Sequence, residues 1–111
     1  MNKRYLEIKK LIQENRPDVE IAEAMSNYHE NDIAELLENL SQPERKRIYH
    51  VLGLAKTANV FPYFDDTQQY IEEISVEDAA AIISLMDSDD AVDILEQLDP
   101  ETKTRIVEKL R

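Results

Sequence analysis

"DAVDILEQLDPETKTRIVEKL", residues 90–110, decides the fold. Ala91, Ile94, Leu95 and Leu98 stand at i, i+3, i+4 and i+7, which is one apolar stripe of a helix. Asp99 and Pro100 follow at once: a residue suited to cap a new helix, then one tolerated in its first turn. A second apolar series, with Ile106 and Leu110, runs to the end. The stretch therefore reads as a short helix, a tight connection and another helix.

The same phrase occurs twice more. "DIAELLENLSQPERKRIYHVL" at 32–52 and "DTQQYIEEISVEDAAAIISLM" at 66–86 align with it without a gap. Leu36, Tyr70 and Ile94 coincide, as do Leu37, Ile71 and Leu95, and then Leu40, Ile74 and Leu98. Ser41, Ser75 and Asp99 follow as three candidate N-caps, and "SQPE" at 41–44 has capping-box spacing. Further on, Ile48, Ile82 and Ile106 align, then Leu52, Met86 and Leu110. The offset is 34 residues and then 24. The ten extra residues near "AKTANVFPYF" are expected to add a helix ending around Pro62 to Phe64. Helices near Arg4–Glu14 and from about Asp18 to Asn27 precede the repeats. No segment alternates with period two, so the fold class is all-α. The expected architecture is a right-handed superhelix, a solenoid of about nine short helices in stacked pairs.

A chain of 111 residues with 42% apolar content suits one domain with one core. A single glycine excludes a glycine-rich phosphate loop, and the absence of cysteine excludes disulfides and thiolate metal sites and suits the cytosol. The basic start "MNKRYLEIKK" lacks the apolar region of a signal peptide, and no run of about 18 apolar residues occurs. His29 and His50 lie 21 residues apart without metal-binding spacing, and read as surface or helix-terminal residues. The five tyrosines and two phenylalanines read as core residues. Nothing suggests an enzyme.

Charge is more informative. The net charge is −11. From Thr57 to Thr102 there is no lysine or arginine, and there are 13 acids; the remainder holds 13 bases and 11 acids. Such a surface argues against nucleic acid and favours a metal ion or a basic protein surface. The acids concentrate in "MDSDDAVDIL" at 86–95, with Asp87, Asp89, Asp90 and Asp93. If Ser88 is the N-cap, Asp89 and Asp90 fall in the first turn, where the helix dipole favours them. Asp93 lies beyond that benefit. Asp89 and Asp93, four apart, share a face that Glu96 extends. Carboxylates are the ligands that magnesium or calcium takes, and two on one helix supply part of a hydrated shell. A solvated acidic face or a patch docking a basic partner are the alternatives. The glycine-containing loop of an EF-hand is absent.

"HENDIAELLENLSQPERKRIYHVL" at 29–52, "VFPYFDDTQQYIEEISVEDAAAIISLM" and above all "MDSDDAVDILEQLDPETKTRIVEKL" at 86–110 resemble the N-terminal cytosolic domain of MgtE-type magnesium transporters. The resemblance covers residue 29 to the end, and residues 1–28 stand as separate N-terminal helices of the same domain. It implies a magnesium-sensing regulatory domain on the cytoplasmic side of the membrane. Its partners would be a CBS domain, a plug helix and a membrane pore, with the full transporter a homodimer. It also implies that Asp89 and Asp93, with Asp90 between them, contribute to Mg2+ bound against an opposing acidic surface, favouring a closed pore when magnesium is plentiful. The middle domain of the flagellar motor switch protein FliG is a similar helical module and gives the alternative reading. It carries a Glu-His-Pro-Gln signature where this chain has His29-Glu30-Asn31-Asp32. No CBS, plug or membrane segment lies in the chain, and its end at "VEKLR", inside an apparent helix, suggests an excised domain.

Overall fold

The computed structural model describes residues 2–110. Among them there are eight α-helices, one 3-10 turn and no strand. The helices are α1 (Lys3–Gln13), α2 (Asp18–Ala24), α3 (Glu30–Glu38), α4 (Gln42–Val60), α5 (Thr67–Ile71), α6 (Val76–Ser84), α7 (Ser88–Gln97) and α8 (Pro100–Leu110); the 3-10 turn, Phe61–Tyr63, lies between α4 and α5. No helix among the described residues is long and apolar enough to cross a membrane. The chain falls into two compact units, one ending at Gly53 and the other beginning at Leu54.

In the first unit α1 packs on α2. Tyr5, Ile8, Ile21 and Met25 are buried there, and Ile33, Leu36, Leu37, Leu40 and Ile48 supply the stripes of α3 and α4. Two arginines of α4 tie the connections. Arg45, 7% exposed, donates to the carbonyls of Leu37 (3.3 Å) and Leu40 at the end of α3. Carbonyls past the last turn of a helix need partners from outside it, and a cation there also suits the dipole. Arg47 reaches the α1–α2 turn. Its Nε lies 2.8 Å from Asp18 Oδ1, Nη1 donates to Asn15 Oδ1 at 3.0 Å, and Nη2 donates to the Arg16 carbonyl. Asn15 turns the chain at φ 53°, a left-handed conformation that Asn tolerates. His50 Nε2 stands 3.1 Å from Asp18 Oδ2.

Helix α4 runs on into the ten extra residues and is interrupted at Gly53 (φ 79°, ψ 169°). The 3-10 turn then carries Pro62. The second unit thus starts with an irregular passage. Phe61 meets Phe64 edge-on at 5.0 Å, and Phe64 stacks on Tyr70 at 4.2 Å. Tyr63 departs from the expectation of a core aromatic and is 56% exposed. The passage also delays α5. In α3 and α7 the repeat aspartates, Asp32 and Asp90, sit three residues past the cap, whereas Asp66 is itself the cap of α5, accepting from the Gln69 N–H at 3.4 Å.

After this delay the second and third copies stack like on like: α5 packs on α7, and α6 packs most extensively on α8. Ile82 and Ile106, equivalent in the repeat, are both buried. All three expected caps form. Ser41 Oγ accepts from the Glu44 N–H at 3.4 Å while Glu44 Oε1 accepts from the Ser41 N–H at 2.9 Å, a reciprocal capping box. Ser75 accepts from the Asp78 N–H at 3.1 Å, and Asp99 from the Thr102 N–H at 2.8 Å.

Candidate metal site

The acidic face is built on α7. Its N-cap is Asp87, with extended backbone (φ −59°, ψ 145°) and no side-chain cap bond. The cap therefore lies one residue earlier than Ser88. The Asp87 carbonyl accepts the Ala91 N–H at 3.0 Å, which closes the first turn around Ser88, Asp89 and Asp90. Helix α7 is oriented by Ile94 and Leu98, both buried, with Ala91 and Leu95 half-buried beside them. This inward stripe turns Asp89, Asp93 and Glu96 outward, and all three are exposed. Asp90 is half-buried at the edge of the stripe. Val92 lies among the outward residues at 52% exposure.

The remaining acids of the base-free stretch sort by their partners. Asp66 caps α5, and Asp99 caps α8. Gln68 straps α5 to that second cap: Nε2 donates to Glu72 (2.6 Å) and to Asp99 Oδ2 (3.0 Å), while Oε1 accepts the Asp99 N–H at 2.9 Å. Glu77 pairs with Lys109 at 3.5 Å, and Glu101 pairs with Arg105. Two of these acids titrate below the ordinary carboxylate range. Asp99 is lowered by the Thr102 backbone N–H and hydroxyl, and Glu77 by its own backbone N–H and then by Lys109. By contrast, the side chains of Asp89, Asp90, Asp93 and Glu96 make no ion pair or hydrogen bond within the described chain. Apart from the place of Asp89 and Asp90 in the first turn, which suits the helix dipole, this set forms no link that holds the fold.

Asp89 and Asp93 suit a hydrated hard cation as ligands from one side, through exposed oxygens on one helix face. They do not form a complete cage. Among the described residues no group of three or more His, Cys, Asp or Glu side chains is placed to hold an ion. An acid-lined hollow lies elsewhere. A groove of about 330 Å³ is bounded by Glu72, Asp99, Glu101 and Arg105 over Ile71 and Ile106, and no α7 acid lines it. His29 and His50 stand apart from the acidic face: His29 caps α3, where its N–H donates to Asp32 at 3.2 Å, and His50 faces Asp18. Sequence spacing alone did not single out Gln68 or the two arginines of α4. Each acts on backbone atoms or on residues about 30 positions away, which no periodicity records.

Eight helices among the described residues, with like-on-like packing of the later pairs, define a class: an all-helical domain with an acidic face on α7. More particularly, the chain belongs to the MgtE intracellular N domain family, whose model matches residues 28–111. Its fold is similar to that of the soluble part of a magnesium transporter, with a TM-score of 0.89 and 20% sequence identity over 98% of this chain. At that identity the likeness establishes the fold. The chain spans 44% of the length of that relative. No curated protein sequence matches it significantly.

Proposed function

We propose that this chain works as a single cytosolic magnesium-sensing domain of a magnesium transporter, at the cytoplasmic face of the membrane. Asp89 and Asp93, with Asp90 beside them, supply one half of weak Mg2+ sites. An opposing acidic surface in the CBS and plug-helix region of a homodimeric transporter supplies the other. Retained waters complete each shell, as suits an ion sensed near its ordinary cellular concentration. Bound ions bridge the two surfaces and favour a closed pore. When magnesium is scarce, the like-charged surfaces repel and the closed state loses that advantage. Stacking of successive helix pairs into a right-handed superhelix would present the acidic face over a broad surface.

The observation that carries this reading is the sorting of the acids. Those that cap helices or bridge to bases serve the fold, while Asp89 and Asp93 are exposed and unpaired. Family membership supports magnesium as the ion and a transporter as the setting. The test is magnesium-dependent current or uptake in the complete transporter carrying Asp89→Asn with Asp93→Asn. The double variant is expected to stay open at magnesium levels that shut the wild type. Normal closure would reject the assignment of these two residues. A companion measurement on the isolated domain separates an ion site from docking of a basic protein: millimolar magnesium should raise the wild-type melting temperature beyond the effect of sodium chloride at equal ionic strength.

A further inference from the structure

The groove of about 330 Å³ lined by the α5–α6 turn and α8 lies wholly within the second unit. Its floor is apolar: Ile71 and Ile106 are buried, and Ile74 and Val76 are half-buried beside them. Its rim is charged. The carboxylates of Glu72, Asp99 and Glu101 stand there with a single guanidinium, that of Arg105, which pairs with Glu101. Glu72 and Asp99 form no ion pair among the described residues, and a neutral amide stands between them. Gln68 Nε2 lies 2.6 Å from Glu72 Oε1, 3.0 Å from Asp99 Oδ2 and 3.3 Å from Thr102 Oγ1, so two amide hydrogens serve three oxygens. The amide holds two carboxylates side by side without neutralising them.

An occupant complementary to this groove carries positive charge and an apolar body together. A hydrated metal ion would leave the floor against its water shell, and among the described residues no three ligating side chains converge on one point. An alkylammonium group donates up to three N–H bonds to carboxylates, while its methylenes cover apolar surface as a lysine stem does. We propose that the groove binds a linear polyamine, with one ammonium at the Glu72–Asp99 pair, another along Glu101, and the methylenes between them over Ile71, Ile74 and Ile106. The volume suits a small ligand, since such sites begin at about 300 Å³. No α7 acid lines the groove, and the inference stands independently of the magnesium reading.

The test is calorimetric titration of the full chain, at constant ionic strength, with spermidine, a trication at neutral pH. An acidic chain attracts any trication, so two comparisons isolate the groove. Hexaamminecobalt(III) has the same charge and no methylenes, and spermidine is expected to bind at least about tenfold more tightly. Glu72→Gln with Glu101→Gln should weaken spermidine binding at least about tenfold, with Asp99 left in place because it caps α8. Glu23→Gln with Glu108→Gln removes the same charge from exposed positions outside the groove and should change the affinity by less than about twofold. Circular dichroism checks that each variant is folded, and the comparison of the two trications needs no variant. Equal affinity for the two trications, equal weakening by the two double variants, or no binding of spermidine would each overturn the proposal.

Discussion

Removing the Arg47 guanidinium tests whether α1 and α2 are an integral part of the first unit. The family match starts at residue 28, so the two N-terminal helices lie outside it. Arg47 is the side chain that clamps their turn, through Asp18, Asn15 and the Arg16 carbonyl. Asp18 is 46% exposed, so its ion pair with Arg47 is worth a surface value of about 0.5–1 kcal/mol. The bonds to Asn15 and to the Arg16 carbonyl add about 0.5–1 kcal/mol each, as ordinary net hydrogen bonds. Arg47→Met keeps the apolar stem and loses all three, which amounts to about 2 kcal/mol. For a domain of this size that is a fall of roughly 8–12 °C in melting temperature. Arg47→Lys keeps the charge, but a single ammonium does not span a planar three-point contact. It should recover the Asp18 pairing alone and leave a loss of about 1–1.5 kcal/mol. Urea denaturation of the three proteins, followed by circular dichroism, measures this. Full stability in Arg47→Lys would refute the geometric argument and reduce the clamp to a simple charge effect. Wild-type stability in Arg47→Met would refute the clamp altogether.

Other outcomes follow from the same structure. Ile106→Ala empties a fully buried site between α6 and α8 and should cost about 2–5 kcal/mol, read by denaturant midpoint at unchanged slope. Asp89→Asn with Asp93→Asn removes an exposed like-charge pair that costs a helix roughly 0.2–0.5 kcal/mol. Without magnesium the isolated domain should melt at the same temperature or slightly higher, and a clear fall would mark these residues as structural. Asp99 is held below its ordinary pKa of 3.8 by Thr102, so the stability it contributes is in place above about pH 4 and is lost as pH falls further. Asp99→Asn should therefore lower stability near pH 7, where that contribution is in place, and flatten the acid limb below pH 4, where the two proteins converge; an unaltered acid limb would contradict this cap.

Much of the helical framework could be read from residue spacing. Leu36, Leu37 and Leu40 recur as Tyr70, Ile71 and Ile74 and as Ile94, Leu95 and Leu98, because each copy buries the same face. The caps Ser41, Ser75 and Asp99 were legible because capping depends on a few adjacent atoms. The cap of α7 was placed one residue late. Asp87 and Ser88 both have side chains suited to the position, and the choice between them rests on which residue keeps extended backbone. The late start of α5 was not legible either, since the aromatic passage from Phe61 to Phe64 displaces its cap to Asp66. The separation of structural from unpaired acids needed three dimensions. Glu72 and Asp99 look no different in sequence from Asp89 and Asp93 until Gln68 is seen between them.

The links that brace the first unit have a consequence for a domain read as responding to one cation. Arg45 and Arg47 make them, and a guanidinium keeps its proton at any acidity the fold survives. No lysine makes either link, so neither acylation of amines nor moderate alkalinity would loosen them.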